Sequence, residues 1–290
     1  MTSDGRGYSA DRDVGTRILR DSLFRGIVVL LSGLSLVPLV LILVYITRNG
    51  ISAINWDFLI SLPRPVGEAG GGISNALAGT AILIVLACMV AIPLGIGAGI
   101  FLSENRCGLL PSAVRLFANV LQGIPSIVIG IVAYAWVVLT LGRFSALSGG
   151  VALGIMMLPV VIKSTEETLK LVPNTLREAS LALGVPYHRT VLKVLLPAGL
   201  GGIMTGVLIG VARIGGETAP LLFTAFGSPY MNLNILKPVA SLPLVIFNYA
   251  TSPYPEWHSL AWGASFVLVV LVLGLNLVAK AVTRRWTVRF

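Results

Sequence analysis

Five stretches of this chain run for about twenty residues or more without a charged side chain: residues 26–47, 74–103, 116–142, 144–162 and 259–279. An α-helix needs about 20 apolar residues to cross the hydrocarbon core of a bilayer. No water reaches that core, so each backbone N–H and C=O must be satisfied within the segment, and a bundle of spanning helices is the economical solution. A sixth stretch, 194–212, follows a charged loop and runs into Arg213. Composition agrees. Only 11% of the 290 residues are charged and 56% are hydrophobic, too few polar groups to cover a soluble globule and too much apolar surface for a disordered chain.

The net charge is +9. In a soluble protein that excess would suggest nucleic acid; in a membrane protein it reports topology, because Lys and Arg collect on the cytoplasmic side. With six spans and the N-terminus inside, the basic residues of the N-terminal tail (Arg6, Arg12, Arg17, Arg20, Arg25), of two loops (Arg106, Arg115; then Lys163, Lys170, Arg177, Arg189, Lys193) and of the C-terminal tail (Lys280, Arg284, Arg285, Arg289) all fall inside. Only Arg48, Arg64, Arg143 and Lys237 fall outside. The segment 218–255 is apolar but interrupted by six prolines. A seventh span there would carry the C-terminal cations outside, so the bias favours six spans, with 218–255 external or re-entrant against protein. The expected organisation is a tail (1–25), a first span (26–48), which is too long for a cleaved signal sequence, and a domain over 71–283 containing a cytoplasmic loop, 163–193.

Enzyme signatures are missing. No Lys follows a Gly, so there is no Walker A phosphate loop, and neither G-x-S-x-G nor H-E-x-x-H occurs. His188 and His258 fall on opposite sides in this topology, and the two cysteines make no disulfide framework. No metal site, cofactor or nucleic-acid partner is expected of this chain. Glycines recur every four residues (Gly202, Gly206, Gly210; Gly95, Gly99; Gly150, Gly154), the spacing that lets helix backbones approach closely in lipid. Gln122, Ser126 and Tyr134 are polar positions on the third span, suited to interhelical hydrogen bonds or to a pathway lining.

Two places carry chemistry. The loop 163–193 contains a short helix, entered at Pro173-Asn174 and stopped by Gly184 with Pro186 just beyond. It could dock on a partner or lie on headgroups. The second place is Arg213-Ile-Gly-Gly-Glu217-Thr218-Ala-Pro220. Residues four apart share a helix face, so Arg213 and Glu217 either neutralise one another or present a guanidinium fork to a tetrahedral anion. Gly215-Gly216 and Pro220 would loosen the helix there.

Glu178-Ala179-Ser180, three residues, Gly184, nine residues, Val194, one residue, Leu196-Pro197 resembles the EAA loop of type I ABC importer permeases. Ser180 and Val194 are its two conservative departures. Arg213-x-x-Gly-Glu-Thr-Ala-Pro-Leu-Leu-x-Thr-Ala, with Gly71-Gly72-Ile73-Ser74-Asn75-Ala76 and Gly123-Ile124-Pro125-Ser126, is similar to the phosphate permeases of the PstA type. The resemblance covers residues 71–280. It implies an all-α integral membrane protein with six transmembrane helices and the MetI-like permease fold, in a bacterial or archaeal cytoplasmic membrane, both termini cytoplasmic. It implies that Glu178, Ala179, Ser180, Gly184, Leu196 and Pro197 couple to an ATPase, and that Arg213, Glu217 and Thr218 line the substrate pathway. The implied partners are a homologous permease (PstC-like), two ATPase subunits (PstB-like) that carry ATP and Mg, an extracytoplasmic phosphate-binding protein (PstS-like), phosphate and membrane lipid. Permeases for another oxyanion, molybdate or sulfate, would share the EAA loop. An ATP-independent channel would have no use for it.

Overall fold

A computed structural model describes residues 8–68 and 70–286. Arg6 and Arg289, two of the cations counted above as topology signals, lie outside the described residues. The helices are α1 (Tyr8–Gly50), α2 (Trp56–Ile60), α3 (Ser74–Glu104), α4 (Leu109–Gly123), α5 (Ser126–Leu141), α6 (Ala146–Leu171), α7 (Asn174–Ala182), α8 (Tyr187–Ile214), α9 (Ala219–Leu222), α10 (Leu242–Ala250) and α11 (Pro255–Trp286). Among the described residues, pairing of extended backbone is confined to one bridge, Phe226 to Val239.

Among the described residues, five helices are long and apolar enough to span a membrane: α1, α3, α6, α8 and α11. The third apolar run of the sequence is not one straight span. It is α4 followed by α5, bent by 108° at Ile124-Pro125. The proline accounts for the break: it lacks an N–H and pushes the residue before it out of the helical region, and Ile124 is extended at φ −71, ψ 131. Helix α1 divides from the rest of the chain and stands as a separate unit through Asn49. Along it, Ser35 and Thr47 hydroxyls donate to the carbonyls of Ser32 and Leu43, which keeps them satisfied within the helix.

The remaining unit is built on α3, α6 and α8. Gly95 and Gly99 of α3 meet Val161 and Thr165 of α6, while Gly149 and Gly150 of α6 meet Leu83 and Leu86 of α3. The two helices therefore run parallel and in register. Helix α8 runs antiparallel: Gly202 sits on Thr168, Gly206 on Ser164 and Gly210 on Met157. A Cβ at Gly206 would lie 2.0 Å from the Ser164 hydroxyl, so the glycine is what allows this approach. The four-residue glycine repeats are thus packing seams within one bundle. The core between them holds Leu83, Leu153, Met157, Val161, Val207 and Ile214.

The bundle has two ends. The near end carries Glu104, Leu171 and α7; the far end carries α2 and residues 218–241. The two ends of that far segment are buried against protein, while its middle, Phe226 to Lys237, is largely exposed. Leu221, Val239, Leu242 and Leu244 are almost fully buried. Its irregular carbonyls are satisfied by the start of α6: Ser145, Ala146 and Leu147 N–H groups donate to Thr224, Lys237 and Ile235. Ser145 and Ser148 form a reciprocal cap at the same place. Leu242 N–H donates to the Thr80 hydroxyl at 2.9 Å. Buried non-helical backbone of this kind depends on such protein partners.

Candidate functional site

Helix α7 is where the loop sequence placed it. Pro173 precedes it with φ −58, and Gly184 ends it at φ +74, a left-handed conformation that glycine adopts at little cost. The preceding helix reaches further than the apolar run suggested: α6 continues through Lys163 to Leu171. The residues of α7 divide between the interior and the surface. Leu176 packs inward against a cluster of Leu169, Val172, Val191 and Leu195. Ser180 is buried and shares a hydrogen bond of 2.9 Å with the Thr190 hydroxyl. Glu178 and Ala179 face out, and Leu183 is 83% exposed. Leu176 is therefore an inward anchor of α7, and Leu183 its exposed tip. Leu196 is half-buried and Pro197 exposed on α8, just past a wide turn of π-helix over Val191–Leu195.

Two ion-pair clusters fix this end. Arg177 of α7 bonds Glu104 at the end of α3, with the two side chains 30% and 10% exposed. Arg115 of α4 donates to Glu166 of α6 at 2.7 Å and also to the carbonyls of Leu102, Asn105 and Arg106. It thereby caps the free carbonyls where α3 ends. Lys170, one turn on from Glu166, completes that group at 2.5 Å. The sequence displays these charges at the ends of apolar runs, but the pairs lie 51 and 73 residues apart, and no local spacing connects them.

At the other end of α8, Arg213 and Glu217 do pair, loosely: Nε to Oε1 is 3.9 Å, and the side chains are 44% and 22% exposed. Helix α8 stops at Ile214, and Gly215-Gly216 turn the chain into Thr218. Thr218 and Gly216 line a groove of about 320 Å³ against Pro243, Ile246, Phe247 and Leu268. Pro220 rests directly on Gly130 of α5. So the six residues expected to couple to an ATPase are gathered at the near end, and Arg213, Glu217 and Thr218 lie beyond the middle of the bundle, apart from them. A larger cavity, about 580 Å³, opens at the far end between Arg64, Asn75, Ser228, Tyr230, Asn248 and Trp257. Asn75 is 3% exposed and donates to the Ser228 carbonyl at 2.7 Å. Nothing in the spacing of the sequence singles this cavity out, because its walls come from five separate segments.

A bundle with a loose ion pair along one of its apolar helices, and a short helix held out from one end, is the architecture of a membrane permease. This chain belongs to the family of binding-protein-dependent transport system inner membrane components, whose profile matches residues 91–288. It is 41% identical over 245 residues to the phosphate transport system permease protein PstA of Yersinia pestis, covering 84% of this chain and 83% of that protein. The PstA of Xylella fastidiosa strain 9a5c is 45% identical over 239 residues, 82% of this chain and 83% of its own. A probable PstA of the archaeon Methanocaldococcus jannaschii is 35% identical over 260 residues, covering 89% and 92%. Among solved structures, a chain of the inward-facing MetNI methionine ABC transporter matches with a TM-score of 0.60 at 22% identity, over 75% of this chain and 95% of that one. At that identity the match shows the fold, the MetI-like importer permease.

Proposed function

We propose that this chain is the membrane-spanning subunit of an ATP-driven importer of inorganic phosphate. The observation that carries the reading is the likeness to PstA proteins over more than four-fifths of the chain, continuous through the Arg213–Glu217 segment. Phosphate offers the tetrahedral oxyanion that a guanidinium recognises through paired hydrogen bonds. The chain holds no phosphate-loop motif of its own, so ATP and Mg belong to two ATPase subunits of the PstB kind. A second, homologous permease of the PstC kind completes the pathway, and a phosphate-binding protein of the PstS kind delivers the anion to the far end.

In this reading the near end faces the cytoplasm, with both termini. Closure of the ATPases pushes on Glu178, Ala179, Leu183 and the turn at Gly184. Arg177 and Glu104 pass that movement to α3, and Ser180–Thr190 passes it to α8. The spans then open toward one side or the other around Arg213, whose long bond to Glu217 leaves the guanidinium able to exchange its carboxylate for the passing anion. The chain itself performs no hydrolysis.

The test is uptake of radiolabelled phosphate at micromolar concentration in cells deleted for this gene and for other phosphate systems, with and without the gene restored. Restoration of uptake by the gene is expected. Unchanged uptake in the deletion strain overturns the reading, and loss of sulfate or molybdate uptake in its place assigns the permease to that oxyanion.

A further inference from the structure

Among the described residues, the buried and half-buried charges at the near end are matched, with one exception. Glu166 has Arg115 and Lys170, and Glu104 has Arg177. Lys163 has no carboxylate within ion-pair distance among the described residues. Glu167, one turn on along α6, is exposed and does not reach it. Its ammonium donates instead to the neutral side-chain carbonyl of Gln122, at 2.6 Å. Both residues are half-buried. Lys163 stands eight residues before the end of α6, about 12 Å inside that end by helical rise. A cation within a spanning helix faces a pathway or a partner of opposite charge, and this one has a neutral partner.

The donor geometry is suited to an anion. An ammonium carries three N–H bonds and a primary amide two. The Gln122 carbonyl uses one of the three, and the Gln122 amide nitrogen makes no hydrogen bond among the described residues. The pair therefore offers several uncommitted N–H donors and a full positive charge. Gln122 is also the last polar residue before the bend at Ile124-Pro125. The other half of that bent span, α5, holds Gly130 against Pro220, in the segment that begins at Arg213. Since Gly206 sits on Ser164, Arg213 lies seven residues further along α8, about 10 Å from Lys163 along the bundle axis. Lys163 thus borders the first half of the broken span, and the segment that follows Arg213 borders the second.

We infer that Lys163 and Gln122 form a second anion station on the phosphate pathway, nearer the α7 end than Arg213. The inference rests on the reading of the chain as an oxyanion importer. A phosphate leaving Arg213 would meet Lys163 before the end of the bundle, with Gln122 keeping the ammonium aimed without neutralising it.

The substitution Gln122→Glu separates this role from a structural one. It keeps the tie between α4 and α6, and strengthens it, but cancels the charge. The complete complex, with ATPase, sister permease and binding protein, is reconstituted in proteoliposomes, and uptake and ATP hydrolysis are both measured. Gln122→Glu and Lys163→Met are expected to lower uptake about tenfold or more, the loss of one charge-assisted hydrogen bond, at unchanged complex yield. Lys163→Arg is expected to keep a larger share of uptake than Lys163→Met. Wild-type uptake by Gln122→Glu, or by Lys163→Met, overturns the inference. If the wild-type complex carries a different oxyanion, the phosphate reading falls and the same variants are scored on that anion. Transport of a neutral solute by the wild type overturns both.

Discussion

Three side chains show how differently exposed and buried groups respond to change. Glu178 is exposed and forms no hydrogen bond or ion pair with another described residue, so its replacement costs this chain nothing. Glu178→Lys is expected to leave membrane levels intact and to lower phosphate uptake about tenfold or more, as loss of a central docking residue does. Immunoblotting and uptake on the same cells check it, and normal uptake removes Glu178 from the docking surface. Gly184 adopts φ +74 and a Cβ there would meet nothing within 4 Å. The constraint is conformational, worth about 1–2 kcal/mol for an ordinary residue. Gly184→Asn, tolerant of that region, should transport better than Gly184→Val at equal expression. Arg213→Gln removes a bond already stretched to 3.9 Å. The complex should assemble at wild-type yield in detergent while uptake falls; failure of assembly would make the pair a structural one.

Helices here approach at glycine seams. A valine at Gly206 would drive its Cβ into Ser164, and a Cβ at Gly99 would come within 2.4 Å of the Thr165 side chain. Overpacking of this kind costs about 1–3 kcal/mol. Gly206→Val should lower the thermal unfolding midpoint of the purified complex, measured by fluorescence in detergent. Gly97→Ala, on α3 with open space around it, should leave the midpoint unchanged or slightly raised, because alanine is the better helix former. Equal effects of the two would show that the seam is not what holds α8 to α6. The bend between α4 and α5 is an element-level feature that the apolar run concealed. Pro125 was visible, yet a proline inside 27 uncharged residues reads equally as a kink within one span. Only the packing of Ala118 and Arg115 on α6, and of Gly130 on Pro220, fixes the two halves in different directions.

Across the whole permease unit, α7 is joined to the spans through few contacts, and the Arg177–Glu104 pair is the charged one. Breaking one partner of a mostly buried pair leaves the other uncompensated, a loss of about 3–5 kcal/mol in fully buried cases. Glu104→Gln is therefore expected to reduce uptake per ATP hydrolysed in the reconstituted complex. The reversed pair, Glu104→Arg with Arg177→Glu, should recover part of it. No recovery, with both proteins folded, would place the transmission elsewhere.

The sequence by itself determined the membrane class, the apolar segments, the short helix ended by Gly184 and the Arg213–Glu217 spacing. Each is a local property: apolar length against bilayer thickness, a turn that favours glycine, two residues one helical turn apart. The tertiary structure decided what depends on distant partners. It tied residues 218–241 to the start of α6 by giving the carbonyls of Thr224, Ile235 and Lys237 its N–H groups, turned Ser180 inward to Thr190, and set Lys163 against Gln122. A charge in an apolar helix declares only that something must face it. Which group does so depends on how the helices meet, and that is settled by packing between residues far apart in the chain.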